Sequence, residues 1–200
     1  MQTDRQEAPH LISSYAERCV VHVKNRFGLE LDYSSETMSV LDHFVAQVVA
    51  EECEGMTPPP GDKRRSHLVH LLAPTLGAYF GEVLRVEHRG RWRFTDLEPD
   101  RWVLEFEDFF LRFNPAGAAA EAIMAEPVED WRGSIATAPQ LMVHLHERLA
   151  AAPPIPEDEF YTFAARHEVI QIASDYLRER AARDGEVGCN PDDYDKYLPD

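Results

Sequence analysis

The chain has 200 residues, and 44% of them are hydrophobic, which is enough to bury one substantial core. It carries 36 acidic against 20 basic residues and a net charge of −16, which repels phosphate backbones and argues against nucleic-acid binding. No apolar run approaches the length of a membrane span, and the three cysteines show no CxxC spacing. We therefore expect a cytoplasmic protein that neither crosses nor binds a membrane.

The first part of the chain has the pattern of two amphipathic helices. Apolar residues at three- and four-residue spacing predict a helix over 11–28 and another over 36–54. Three consecutive prolines then predict a loop over 55–65.

A longer helix is predicted over 67–88, with its N-cap at Ser66. It should kink or restart at Pro74, because proline lacks the amide that the helix needs there. Gly77 and Gly81 lie on one face of this helix, and each costs about 1 kcal/mol relative to alanine. We therefore expect a second backbone to pack closely against that face.

The apolar period changes from near four to two at Gly90. Alternating apolar and polar residues predict strands over 91–95 and 102–107, and a third short strand over 110–113. The predicted fold class is α+β, a small three-stranded antiparallel sheet packed against several helices.

One face of this sheet is expected to be in contact with water. Arginines of the first strand should lie there beside Glu105 and Glu107 of the second. Exposed ion pairs of this kind contribute only about 0.2–1 kcal/mol each.

Further helices are predicted beyond the sheet, over 118–126 and 139–151. The domain organisation that follows is an α+β domain at 9–151, a C-terminal helix at 157–183 packed on it, and an acidic tail at 184–200.

Three local patterns occur in a fixed order: LDYSSETMSVLDHF at 31–44, GAYFGEVLR at 77–85, and RW…WVLEF…LRFNP at 91–115. Together they resemble a group of uncharacterised bacterial proteins with LDYS, GxYxGE and RW…NP patterns. The resemblance covers about residues 10–125. It implies a helical entry, a central helix and a small sheet, and it implies no activity.

Glu82 is the leading candidate for a functional residue, with Tyr79 and Arg85 within one turn of the helix and Trp92 on the first strand. One interpretation is a semi-buried carboxylate that acts as a base or binds a ligand. The other is a structural carboxylate that an arginine or loop amides hold in place. A single helical glutamate specifies no reaction, which favours the structural interpretation.

Phe109 is a candidate partner-binding residue. Phe109 and Phe110 are adjacent, so on a strand only one of them can point inward. The other would form an exposed apolar spot for a partner.

The sequence contains no recognisable metal or cofactor site. His67 and His70 are three residues apart on a helix, but no third ligand completes the pair, and His88 is expected to face solvent. Nucleophile motifs and glycine-rich phosphate loops are absent from the sequence. We therefore predict no catalytic residues, no metal and no cofactor.

The charge and the lack of a catalytic set favour a non-enzymatic interaction protein. One concrete form is an immunity or antitoxin-like protein that masks a basic surface of its partner. The alternative is a small hydrolase or ligand-binding enzyme that uses Glu82 in a cleft between helix and sheet. A third possibility is an architectural subunit whose free sheet edge pairs with another copy. The sequence makes no prediction of oligomeric state.

Overall fold

The computed structural model describes residues 9–52, 59–60, 62–94, 97–185, 188–189 and 191–197. Within them, helices and a three-stranded antiparallel sheet form an α+β fold, which confirms the predicted class. The helices are α1 (His10–Phe27), α2 (Met38–Glu52), α3 (Lys63–His88), α4 (Pro115–Met124), α5 (Pro139–Ala150), α6 (Phe163–Asp184) and α7 (Pro191–Tyr197). The strands, in sheet order, are β1 (Gly90–Phe94), β2 (Trp102–Phe106) and β3 (Arg112–Phe113). None of the helices in these ranges is long and apolar enough to cross a membrane.

Helix α3 is the central element of the fold and packs against both α1 and α4. It begins earlier than predicted, because the Asp62 side chain accepts a hydrogen bond from the Arg64 amide at 2.9 Å and caps the helix. It ends at His88, and its C-cap is Arg89, whose φ of 54° is left-handed. The helix continues through Pro74 as one element, so it does not restart there.

The glycine face of α3 is the site of its closest packing. A Cβ at Gly77 would lie 2.3 Å from the Cα of Ala116, in the first turn of α4. The prediction of a second backbone against this face is therefore confirmed at Gly77. At Gly81 the nearest neighbour is a side chain, the Trp92 ring, at 2.3 Å from the same hypothetical atom.

The first strand begins at Gly90, where the period of the apolar residues changes, and Trp92 lies opposite Leu104. Trp102, Leu104 and Phe106, on one face of β2, are fully buried, as the alternation indicates. The third strand is shorter than predicted, because residues 107–110 form a bend and pairing begins only at Arg112. Arg112 also forms a bridge with Ala136, so the segment before α5 borders the sheet.

The predicted tail at 184–200 packs on the sheet through α7; residues 186–187, 190 and 198–200 lie outside the described part of the chain. Tyr194 is completely buried. Its hydroxyl accepts a hydrogen bond from the Leu111 amide at 3.1 Å and donates to the Phe106 carbonyl at 2.7 Å. Helix α7 therefore covers backbone groups at the turn between β2 and β3.

The sheet face predicted to be in contact with water is covered. Glu105 is only 1% exposed and pairs with Arg91 at 2.9 Å and with Arg93 at 3.4 Å. Arg91 lies over the Tyr194 ring at 5.4 Å, and Arg93 also pairs with Asp195 of α7. The prediction of an exposed ion-pair face was wrong because the covering element is distant in sequence.

Replacing Tyr194 by phenylalanine should lower the free energy of unfolding by about 1–3 kcal/mol, since it removes the hydroxyl that donates to the buried Phe106 carbonyl and leaves the Leu111 amide with only the Phe109 carbonyl as acceptor. Urea denaturation monitored by circular dichroism measures this. Tyr15→Phe is the matched control, because Tyr15 is half-buried and packs on Trp102 through its ring. We expect the control to change stability by less than about 0.5 kcal/mol. Equal effects of the two variants would contradict the role of the Tyr194 hydroxyl.

Helix α6 begins at Phe163, later than the predicted start at residue 157. Two side chains cap it there. The Thr162 hydroxyl accepts from the Ala165 amide at 3.1 Å, and the Asp42 carboxylate of α2 accepts from the Phe163 and Ala164 amides at 2.6 and 3.1 Å. Residues 157–162 consequently form turns before the helix.

Candidate functional site

Glu82 is held inside the protein by two neighbours. One of its oxygens, Oε1, accepts from Trp92 Nε1 at 2.7 Å and from Arg85 Nε at 2.8 Å. The other accepts from Arg85 Nη2 at 2.9 Å. Glu82 is 7% exposed, and Gly81 provides the space in which the Trp92 ring reaches it. The cluster therefore fastens β1 to the last turns of α3.

This arrangement brings together three of the predicted site residues, Glu82, Arg85 and Trp92. A general base needs a free lone pair within reach of a substrate. Both oxygens of Glu82 accept hydrogen bonds within the protein, and neither of the two cavities described below is lined by this residue. The geometry is that of a structural ion pair, so the enzymatic alternative gains no support from it.

Tyr79 points toward the segment before α2. Its hydroxyl accepts from the Tyr33 amide at 2.9 Å and is hydrogen-bonded to Thr37 Oγ1 at 2.8 Å. The rings of Tyr33 and Tyr79 also pack together, with centroids 4.9 Å apart. An Asx turn is present here, since the Ser34 amide donates to the Asp32 carboxylate.

The patterns that carry the bacterial resemblance therefore meet around α3. LDYS contacts GxYxGE through Tyr33 and Tyr79, and GxYxGE contacts RW through Glu82 and Trp92. In the final NP, the Asn114 side chain caps α4 next to Gly77 by accepting from the amides of Ala116 and Gly117. Each of these residues has a packing or capping role.

The prediction that Phe109 forms an exposed apolar spot was wrong. Phe109 is 1% exposed, stacks on Phe106 at 4.9 Å and lies 4.7 Å beneath the Arg178 guanidinium. Phe110 stacks on Tyr194 at 4.5 Å. The alternation of a strand does not apply to Phe109 and Phe110, because residues 107–110 form a bend in which both rings pack against other side chains.

His88 was predicted to face solvent, but it is 2% exposed. Its Nδ1 accepts from Arg178 Nη2 at 2.9 Å, and its ring packs edge-on against Phe106 and Phe109. Burial and the positive charge of Arg178 lower the pKa of His88 to about 4, although Glu87 opposes this shift.

The lowered pKa of His88 predicts a loss of stability in acid. The unfolded chain protonates this histidine below about 6.5, whereas the folded protein resists protonation until about 4. Stability should therefore fall as the pH is lowered from 6.5 toward 4, by up to about 1.4 kcal/mol per pH unit.

Urea unfolding at several pH values measures this slope. His88→Asn keeps an acceptor for Arg178 but does not titrate, so its slope should be shallower than that of the unsubstituted protein. His22→Asn, at an exposed position of α1, is the control and should leave the slope unchanged. An unchanged slope in His88→Asn would contradict the prediction.

The histidine pair considered for a metal has other contacts. His67 lies 3.2 Å from Glu52, and the His70 ring lies 6.0 Å from that of Trp131. In the part of the chain that the structure describes, no three His, Cys, Asp or Glu side chains are grouped so that they could hold a metal ion.

A cleft of about 350 Å³ opens between α2, the end of α4 and the turns before α6. Its α2 wall is formed by residues at helical spacing: Asp42, Val45, Ala46, Val49 and Ala50. The other walls are formed by Pro60, Arg65, Ala122, Ala125, Glu157, Asp158, Tyr161 and Thr162. No pattern in the sequence indicates this cleft, which we call the α2/α4 cleft, because alanines and a segment expected to be helical form it.

The α2/α4 cleft has an acidic edge. Asp42, Glu157 and Asp158 contribute three carboxylates. Among the described residues that line it, the only basic side chain is Arg65, which is 6% exposed and donates to the Ile123 carbonyl at 2.9 Å. Burial raises the pKa of Asp42, although the amides of α6 act in the opposite direction.

A second cavity, of about 730 Å³, lies beside β3 and the segment that precedes α5. Its charged lining residues are three acids and three arginines: Asp100, Glu129, Asp130, Arg101, Arg112 and Arg132. Because these charges balance, the second cavity does not favour an anionic or a cationic ligand.

Many basic side chains are already paired with acids within the protein. These pairs are Lys24–Glu30, Arg26–Glu51, Arg64–Asp62, Arg85–Glu82, Arg89–Asp108, Arg91–Glu105, Arg166–Glu121 and Arg180–Asp184. Acidic groups at 129–130 and 157–159 are exposed. The surplus of negative charge is therefore presented at the surface.

Comparison with known proteins gives no match: no family model matches the chain, and no curated protein or solved structure is significantly similar to it. The resemblance to the bacterial group stays a prediction. Conclusions about function depend on geometry and charge.

Proposed function

We propose that this chain is a non-enzymatic, acidic interaction protein of the cytoplasm that binds a basic protein and masks its charged surface. An immunity or antitoxin-like role is the concrete form of this proposal. The observation that carries it is the distribution of charge. Many arginines are neutralised by acids of the same chain, whereas acidic groups at 129–130 and 157–159 face solvent.

The Glu82 cluster gives the enzymatic alternative no support. Its carboxylate is 7% exposed and engaged by Arg85 and Trp92. A protein with a net charge of −16 attracts a basic partner over about 8–10 Å at physiological salt, which accelerates association. The affinity should decrease as salt increases.

Capture from a lysate of the source cells tests the proposal. The immobilised chain should retain proteins of basic isoelectric point, and these should be released as salt is raised from about 0.1 to 0.5 M. The purified partner should then lose its own activity or nucleic-acid binding when the chain is added in equimolar amount.

A variant with less negative charge carries amides in place of five exposed acids: Glu129→Gln, Asp130→Asn, Glu157→Gln, Asp158→Asn and Glu159→Gln. We expect it to bind the purified partner at least about tenfold more weakly. Partners that are neutral or acidic, or binding that is indifferent to salt, would overturn the proposal.

A further inference from the structure

The α2/α4 cleft has an apolar floor. Val45 and Val49 are 7% and 5% exposed and lie on one face of α2. Ala46 and Ala50 line the cleft next to them, and Ala122 and Ala125 contribute to another wall. The short alanine side chains leave a space in which a methylene chain can lie against apolar surface.

The edge of this space is negatively charged. Three carboxylates lie there, and Asp42 is fixed in position because it caps α6 through two backbone amides. The guanidinium of Arg65 is turned toward the Ile123 carbonyl. The cleft therefore combines an apolar floor with a net negative edge, which complements a side chain with an alkyl stem and a cationic head.

The state of Asp42 is consistent with a cationic ligand. Burial raises the pKa of its carboxyl group, so the anion is less stable there than in water. A positive charge placed in the cleft would stabilise that anion. The second cavity does not favour a cationic ligand in this way, because its three acids are balanced by three arginines.

We propose that the α2/α4 cleft is the docking site for a lysine or arginine side chain of a basic polypeptide partner, with its stem on Val45 and Val49 and its head near Asp42, Glu157 and Asp158. This inference rests on the proposed function, since it identifies the site at which the basic partner binds. The exposed acids elsewhere contribute attraction, and the cleft contributes the specific contact.

Binding of a fluorescein-labelled decalysine peptide, measured by anisotropy, tests the site. Two changes alter the cleft: Ala46→Trp fills it from an exposed position of α2, and the pair Glu157→Lys and Asp158→Lys reverses its edge. Each should weaken binding about tenfold or more. Thermal unfolding by circular dichroism verifies that the variants fold.

The matched control is Glu129→Lys with Asp130→Lys, an exposed Glu-Asp pair that gives the same change in net charge outside the cleft. It should weaken binding by less than about threefold. Backbone amide shifts in NMR should change at 42–50, 122–125 and 157–162 when decalysine is added. A decamer of acetyl-lysine, which has the stem without the charge, should not bind.

Each outcome separates this inference from the proposed function. If the two charge-reversed pairs weaken binding equally and Ala46→Trp has no effect, the cleft is not the docking site, while salt-dependent capture of a basic protein still supports the proposed function. If decalysine maps to the cleft but no basic protein is captured, the site stands and the proposed function fails. Binding of 1,5-diaminopentane as tight as that of decalysine would overturn a polypeptide occupant in favour of a small amine.

Discussion

Replacing Gly77 by alanine should lower the free energy of unfolding by more than about 3 kcal/mol, or prevent folding altogether. The added Cβ would lie 2.3 Å from the Cα of Ala116 and 2.6 Å from its amide nitrogen. These are backbone atoms, so no change of side-chain rotamer relieves the overlap. Helices α3 and α4 would have to separate along one of the most extensive contacts of the core.

Urea denaturation and the yield of folded protein measure this effect. Gly28→Ala is the matched control, because nothing lies within 4 Å of the new Cβ although Gly28 has a φ of +68°. We expect Gly28→Ala to lower the free energy of unfolding by about 1–2 kcal/mol, from backbone strain alone. A Gly77→Ala protein as stable as the Gly28→Ala protein would show that α4 does not pack where the structure places it.

Replacing Glu82 by glutamine should lower the free energy of unfolding by about 3 kcal/mol, because it removes the negative charge that pairs with the largely buried Arg85 guanidinium. The side chains of Glu82 and Arg85 are 10% and 14% exposed, so water offers little compensation. The amide nitrogen of glutamine would also face a donor, either Trp92 Nε1 or Arg85.

Chemical denaturation at pH 7 checks this result. Glu30→Gln provides the comparison, since its ion pair with Lys24 has side chains 77% and 60% exposed and should contribute less than about 1 kcal/mol. The opposite result is informative. A Glu82→Gln protein with unchanged stability but lost binding would contradict the structural interpretation and restore the ligand-binding alternative.

Local sequence patterns predicted the parts of the fold whose partners are near in sequence. The alternation of Trp102, Leu104 and Phe106 predicted β2, and all three are fully buried. The spacing of Gly77 and Gly81 predicted a closely packed face on α3. These predictions succeeded because periodicity reports which side of an element is buried, whatever covers it.

The remaining features depend on residues far apart in sequence. Asp42 caps α6 although it lies 121 residues earlier in the chain. The sequence near residue 163 therefore does not contain all of the interactions that determine where this helix begins. Tyr194 covers a sheet face whose own residues, Arg91, Arg93 and Glu105, have the composition of a wet surface.

The candidate site was predicted in part. Glu82, Arg85 and Trp92 are brought together, in a structural arrangement of the kind that the sequence favoured. The α2/α4 cleft escaped prediction because it is formed where side chains are small. Alanines such as Ala46 and Ala122 read as ordinary helix formers in a sequence, and only the packing of the helices reveals the space between them.

The position of Tyr194 has a consequence for folding on the ribosome. Its hydroxyl bonds to the Phe106 carbonyl across 88 residues of chain. At a synthesis rate of about 5–20 residues per second, the nascent sheet waits roughly 4–18 seconds before Tyr194 is translated. Until Tyr194 is in place, its hydroxyl is missing from the Phe106 carbonyl and the Leu111 amide, so the nascent chain exposes backbone groups that the finished protein covers.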